Sequence, residues 1–264
     1  MTVALLAGCG VLGLLIGSFL NVVIWRVPRN ESIVRPPSHC PACDRPIRSR
    51  DNVPVVSWLA LRGRCRDCRT RISARYPAVE LLTGAVFVAM GWRIGVDLEQ
   101  HVALLGFLVL GAVGVAQAMI DIDVKRLPFR ITNVAWAAGL VLLLGQTLVD
   151  GHWWPYLRAL IGMAALFSFY DLLAFIQPRG MGLGDVHLAG PLGLFLGWLG
   201  WSSLAVGAFM GFLVGGLGGI ALIAGRRAGL KSSIPFGPYM LAGALIAILV
   251  GQQIGDAYLS VTFH

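Results

Sequence analysis

The residues best suited to chemistry are a few acids and five cysteines set in an otherwise apolar chain. Gly180-Met181-Gly182-Leu183-Gly184-Asp185 is a glycine-rich run that ends in a carboxylate between two apolar stretches. An ionised Asp at the centre of a bilayer costs about 2.5 to 3.5 kcal/mol on insertion scales, so an acid beside membrane segments points to function. Its glycines, Gly182 and Gly184 among them, permit backbone angles and close approaches barred to other residues. Non-helical backbone at membrane depth survives only against protein or a water-filled cavity. The plainer reading of Asp185 is an N-cap for the helix that follows. Asp121 and Asp123 stand more than sixty residues upstream, directly after another apolar run. Two carboxylates facing one water can divide the work of general base and general acid, because like charges keep one proton shared between them. That is aspartyl peptidase chemistry. Residues two apart on a helix do not face the same way, so the spacing leaves open which of Asp121 and Asp123 would pair with Asp185. The other is then a solvated helix end or a local partner of Lys125 or Arg126. No Ser or Cys stands out beside a partner His, and His187 is the only histidine near a candidate site.

Cys40-Pro-Ala-Cys43 and Cys65-Arg-Asp-Cys68 form two C-x-x-C pairs separated by 21 residues. Each pair can present two thiolates to one ion, and two pairs make the closed tetrahedral shell of structural zinc. Four cysteines leave no open position for water, which argues against a catalytic metal. Disulfides are the alternative, and they rarely persist in a reducing cytosol. His39 beside Cys40 reads as a surface residue, and Cys9 reads as a small buried hydrophobe.

The elements that must position these residues are membrane helices. Of 264 residues, 57% are hydrophobic and 13% charged, and mean hydropathy is +0.76, against about 25% charged residues in ordinary soluble domains. Apolar runs at 3 to 25, 78 to 92, 102 to 120, 131 to 149, 155 to 176, 186 to 199, 203 to 224 and 235 to 254 are measured against the roughly 20 residues needed to span. They predict an all-α polytopic membrane protein, a bundle of about eight transmembrane helices with a cytoplasmic four-cysteine zinc-knuckle loop. The second and sixth runs are short, which gives a range of six to eight spans. Three segments follow: 1-25 as the first transmembrane helix, 26-77 as the zinc-binding loop domain and 78-264 as the membrane core. The first run is read as a span rather than a signal peptide, because no basic residue precedes it and it continues to Trp25.

With eight spans and the N-terminus outside, nineteen of the 21 Lys and Arg residues fall on one side, twelve of them between Arg26 and Arg75. Only Arg93 and Arg158 fall on the other. The positive-inside rule then places the basic loops in the cytoplasm. The Arg-rich loop lies near anionic lipid headgroups, and its tether to the membrane argues against nucleic acid as a partner despite the net charge of +8. Gly207, Gly211, Gly215 and Gly219 recur at four-residue spacing and predict a packing seam along one helix face. Ile234-Pro-Phe-Gly-Pro238 opens the last helix or kinks it.

Taken in order, these motifs resemble the bacterial type IV prepilin peptidases. The resemblance runs through Gly17-Ser18-Phe19-Leu20-Asn21, Ser38-His39-Cys40 with the paired cysteines, Asp51-Asn52-Val53-Pro54, Ser57-Trp58-Leu59 and Arg62-Gly63-Arg64-Cys65. It continues through Arg75-Tyr76-Pro77 with Glu80-Leu81-Leu82-Thr83, the Asp121 region, the Gly180 to Asp185 run and Pro235-Phe236-Gly237-Pro238. It implies that Asp121 and Asp185 are the catalytic pair of a membrane endopeptidase. Such an enzyme removes a short basic leader from prepilins or pseudopilins at the cytoplasmic face of the inner membrane. It also implies methylation of the new N-terminus with S-adenosylmethionine, and Glu31, Asp44, Asp51 and Glu80 are offered as leader contacts. Two positions depart from the family pattern: Phe129 stands after Leu127-Pro128 where another Asp is usual, and His187 stands where Lys is common. A non-enzymatic zinc-knuckle assembly factor or transporter component is the alternative, and a protease that cuts inside helices shares the Gly-x-Gly-Asp element.

Overall fold

A computed structural model describes residues 2–177, 181–225 and 235–262. The expectations placed on Gly180 and Ile234, and on some of the basic residues counted to one side, lie outside those residues. Among the described residues the regular elements are helices: α1 (Thr2–Arg26), α2 (Val56–Ala60), α3 (Arg75–Met90), α4 (His101–Val124), α5 (Phe129–Asp150), α6 (Trp154–Ile176), α7 (Leu183–Leu199), α8 (Trp201–Ala224) and α9 (Gly237–Thr262). Among the described residues, seven helices are long and apolar enough to cross a membrane. In hydrocarbon every backbone polar group must be satisfied within its own segment, which is why these runs are helices. The short second run becomes 23 residues, Arg75–Asp97, because α3 continues as a π-helical turn. Within that turn Arg93 is buried and pairs with Asp97 at 3.7 Å, so its charge does not end the helix. The sixth run forms α7, which has 17 residues and is shorter than a usual span.

The chain divides into two compact units, Met1–Leu98 and Glu99–His264. In the first, α1 lies against α3 through small residues: a Cβ on Gly17 would sit 2.7 Å from Glu80 Cα, and one on Gly13 would sit 2.7 Å from Gly84 Cα. Asn21 donates to the Tyr76 carbonyl across the same seam at 3.2 Å. Residues 27 to 74 between these helices carry α2 and both cysteine pairs.

The second unit is built around α7, buried from Asp185 through Leu199 apart from His187. Its neighbour α6 approaches so closely that a Cβ on Gly193 would overlap the Gly162 carbonyl. Gly207 and Gly211 of α8 face Ala247 and Gly243 of α9, which makes the expected glycine stripe a seam. Pro191 interrupts α7 and cannot donate to the carbonyl of His187. Trp136 of α5 supplies the missing donor, its indole N–H lying 3.1 Å from that oxygen. At the far end Arg158 donates to the carbonyls of Gly197 and Trp198, at 2.7 and 2.6 Å, and so caps the C-terminus of α7. The side-chain oxygen of Gln146 accepts from the first-turn N–H groups of Val102 and Ala103 and caps α4.

Candidate active site and metal centre

One end of the second unit gathers the last turn of α4, the turn into α5 and the first turns of α7 and α9. Asp121 lies in the last turn of α4 and is 5% exposed, whereas Asp123 is exposed. The helix thus separates the two acids that spacing left unresolved and turns Asp121 inward. Its Oδ2 accepts the backbone N–H of Gly237 at 3.1 Å. A Cβ at residue 237 would sit 2.8 Å from that oxygen and 3.1 Å from Leu127, so the approach needs glycine. Leu127 also fills the space against Gly184, where a Cβ would lie 2.8 Å away.

Asp185 lies inside the first turn of α7, at its third position, so the N-cap expected of it falls to Gly182. The carboxylate reaches back instead: Oδ2 accepts the Gly182 N–H at 3.1 Å, as the acid of a capping box does. The residue is 8% exposed, and its other oxygen is buried with no hydrogen-bond partner among the described residues. Asp121 and Asp185 lie within electrostatic reach of one another. His187 has partners of its own. Its Nε2 is 2.7 Å from the Asn133 side-chain oxygen, and its ring packs on Phe129 with centroids 4.6 Å apart. Phe129 and His187 are therefore neighbours in space, joined by a ring contact.

Three features of this end escaped the sequence reading. Gln117, one turn before Asp121 and fully buried, donates to the Pro128 carbonyl and the Thr132 hydroxyl and so pins the α4–α5 turn. The backbone donor at Gly237 was hidden in a motif whose local reading was the opening or kink of the last helix. Tyr170 of α6, 2% exposed, stacks on Phe212 and packs against Phe236 with centroids 5.6 and 6.3 Å away. A single Tyr inside an apolar run gives no signal in sequence.

In the first unit the four cysteine sulfurs lie within 4.8 Å of one another. The sulfurs of Cys40 and Cys68 are 3.7 Å apart, matching the edge of about 3.8 Å that zinc–sulfur bonds of about 2.3 Å impose on a tetrahedron. Each pair forms the same knuckle at an offset of 25 residues. Cys40 N–H donates to the Arg45 carbonyl and Cys65 N–H to Thr70; Asp44 donates back to Cys40 and Arg69 back to Cys65; Ile47 donates to Ser38 and Ile72 to Gly63. Asp44 and Arg69 both take positive φ, 53° and 61°. This duplication is invisible in residue identity beyond the cysteines. Hydrogen bonding to Thr70, by side chain and then backbone, lowers the Cys68 thiol to about 6. Against the lowering effect of a backbone hydrogen bond from Arg45, desolvation and the neighbouring Cys68 and Cys40 push Cys43 up to about 12. Four sulfurs this close cannot all ionise without a cation, and the donor set suits a soft divalent ion. Asp67 pairs with Arg45 and Arg48 beside the knuckles. Arg66 forks onto Asp51, at 2.6 to 3.0 Å, and this hydrogen bond holds the Asp51 carboxyl below the usual range.

The same unit holds a cavity of about 930 Å³ lined by Asn21, Asp51, Trp58, Arg71, Tyr76 and Glu80 among others. At its wall Val55, a β-branched residue, takes φ 60° and ψ −50°, and Val56 N–H closes onto the Pro54 carbonyl at 2.6 Å. This γ-turn is a strained conformation. Buried Glu80 holds it, accepting the Val55 N–H at 2.7 Å.

Fold and site together define a multi-pass helical membrane protein with a buried acid pair at one end of one unit and a four-cysteine cluster in the other. The bacterial peptidase A24 N-terminal domain matches residues 11–94, and the type IV leader peptidase family matches residues 104–252. The prepilin leader peptidase/N-methyltransferase of Aeromonas hydrophila is 38% identical over 273 residues, covering 94% of this chain and 91% of the relative. Those of Stutzerimonas stutzeri and Neisseria gonorrhoeae are 36% and 35% identical, each covering 94% of this chain and 92% and 91% of the relative. The chain belongs to the type IV leader peptidase family. No solved structure matched it significantly.

Proposed function

We propose that Asp121 and Asp185 are the catalytic pair of a membrane aspartyl endopeptidase that removes the leader from prepilins or pseudopilins. The observation that carries this is the convergence of two buried acids, far apart in sequence, at one end of the second unit. Each carboxylate accepts one backbone N–H, which fixes its orientation and leaves its second oxygen for chemistry. Two such acids share one proton. The ionised member takes a proton from water as it attacks the peptide carbonyl. The protonated member hydrogen-bonds the carbonyl oxygen, and a proton passes to the leaving amine as the C–N bond breaks. The substrate's apolar segment stays in the bilayer, and the charge asymmetry of the loops supports a cytoplasmic active site in the inner membrane with the N-terminus outside.

The four cysteines Cys40, Cys43, Cys65 and Cys68 are the ligands of a structural zinc, a reading supported by the sulfur geometry and the duplicated knuckle. Membrane lipid is the ordinary surrounding of the apolar helices. N-methylation uses S-adenosylmethionine, which supplies a methyl group on a sulfonium centre. The cavity of the first unit suits it in size and donor set. Trp58 and Tyr76 offer rings for an adenine, Arg71 a partner for a carboxylate, and Glu80 a buried negative charge for a sulfonium.

Leader removal is tested by co-expression with candidate prepilins, with cleavage and N-terminal methylation read by mass spectrometry. Asp121→Asn and Asp185→Asn are each expected to abolish cleavage while the protein accumulates in the membrane. Cleavage retained by either variant refutes the pair.

A further inference from the structure

Leu127 touches the supports of both acids. A Cβ on Gly184, the residue before Asp185, would sit 2.8 Å from Leu127 Cβ. One on Gly237, whose N–H holds Asp121, would sit 3.1 and 3.2 Å from the two Cδ atoms of the same leucine. The first turns of α7 and α9 therefore bear on one buried side chain. With glycine on both sides, backbone meets leucine directly and a shift of one is passed to the other. Leu127 itself lies in the α4–α5 turn, between Val124 and Phe129. The next residue, Pro128, opens α5 by accepting the N–H groups of Ile131 and Thr132 at 3.1 and 3.4 Å. Gln117 of α4 reaches across to the same carbonyl, its amide nitrogen lying 3.1 Å from Pro128 O and 2.5 Å from Thr132 Oγ1. A carbonyl only accepts, so the bond to Pro128 fixes which end of the amide is nitrogen. The side chain is fully buried, and its own oxygen has no partner among the described residues. A buried oxygen left unsatisfied is costly, and an apolar side chain of the same length would fill the space without that cost. What the amide adds is the tether.

We propose that Gln117 is a positioning residue of the acid pair: its tether to Pro128 seats Leu127 as the spacer between Gly184 and Gly237, and the spacer sets the separation of the two carboxylates. This rests on the reading of Asp121 and Asp185 as the catalytic pair. Gln117 stands one turn before Asp121 on α4, on the same face, so the helix that carries the first acid also fixes the spacer. Two carboxylates serve one water only at a spacing that admits it, and a displacement of about 1 Å costs about a hundredfold in rate. The contribution to stability is small by comparison. Without Gln117 the Pro128 carbonyl keeps its two bonds within α5, and the Thr132 hydroxyl can turn to a carbonyl of its own helix. Removing the tether thus frees the spacer without stripping a buried acceptor of every donor.

The test is Gln117→Met, which keeps the length of the side chain and removes the tether, combined with Leu127→Ala and Leu127→Val, which shorten the spacer. Initial rates on a prepilin peptide are measured for each purified full-length variant in detergent, with the thermal midpoint reporting the fold. Gln117→Met is expected to lower kcat about tenfold with KM within about twofold, because the pair is displaced and substrate binding is not. Leu127→Ala is expected to lower kcat about a hundredfold. If Gln117 acts through Leu127, adding Gln117→Met to Leu127→Ala should cost less than about twofold more, whereas independent effects would multiply. Leu127→Val, a smaller truncation, supplies the same comparison should Leu127→Ala fail to accumulate as folded protein. A Gln117→Met enzyme with wild-type kcat, a loss confined to KM or to the folded fraction, or a full tenfold cost kept in the Leu127-truncated background overturns the proposal while leaving the acid pair intact. Cleavage by Asp185→Asn overturns the acid pair itself, and this inference with it.

Discussion

Glycine 237 shows how much a single missing methyl group can decide. Its N–H is the only donor the described fold offers to Asp121 Oδ2, and a side chain there would press on both that oxygen and Leu127. Gly237→Ala is therefore expected to slow prepilin cleavage about ten- to a hundredfold, since displacing a reacting group by about 1 Å costs that much. Its thermal midpoint in detergent should change little, because the crowding is local. Asp123→Asn is the matching control. The side chain is exposed on the far side of α4 from Asp121, and cleavage is expected within about twofold of wild type. A large loss in Asp123→Asn, or none in Gly237→Ala, measured as initial rates on a prepilin peptide, would contradict this assignment of roles. The difference between the two acids follows from helix geometry alone once the helix is known to include them. The apolar run ended before both, so the sequence could not choose.

At the scale of elements, α7 is held where it bends. Pro191 removes one helical donor, and Trp136 replaces it from α5, its ring pressed so close to Gly190 that a Cβ there would overlap it. A buried carbonyl stripped of its donor costs about 1 to 3 kcal/mol, so Trp136→Phe is expected to destabilise by that amount. Pro191→Ala restores an N–H to the helix and makes the indole partly redundant. In the double variant the cost of losing Trp136 should shrink, giving a coupling energy of about 1 kcal/mol in thermal unfolding of the detergent-solubilised protein. Strict additivity would mean that the indole contributes packing alone. The helices themselves were legible, because apolar runs approaching the roughly 20 residues of a span leave few alternatives in a bilayer. The partners of these polar exceptions were not: Trp136 with His187, Gln146 with Val102 and Arg158 with Gly197 join residues 39 to 51 positions apart. Such pairings depend on which helices become neighbours, and hydropathy carries no information on that.

Over the whole molecule, each unit is held together internally by different physics. The second relies on close helix seams made by glycine, with Gly162 against Gly193 and Gly211 against Gly243. The first has one such seam, between α1 and α3, while its segment from 27 to 74 has little apolar interior and no regular element longer than the five residues of α2. What that segment does bring together is its four cysteines, and here sequence spoke clearly: two C-x-x-C pairs predicted one four-sulfur site, and the sulfurs converge. The strained turn at Val55 and the carboxylate that holds it were beyond reach, because Val carries no signature of positive φ and Glu80 lies 25 residues away inside an apolar helix. If the cluster is the main organiser, removing its metal should act locally. Treatment with a strong chelator, or Cys40→Ser with Cys65→Ser, is expected to release about one zinc per chain and open residues 27 to 74 to limited proteolysis. Residues 101 to 177 should stay protected, because none of their seams involves the metal. Folding free energy that comes from the metal is lost with it, so the loop should regain protection when zinc is returned to the chelated protein, and the double Ser variant should not. Protease resistance of the loop unchanged by metal removal would show that the arginine–carboxylate pairs, Asp51 with Arg66 and Asp67 with Arg45, are enough to order it.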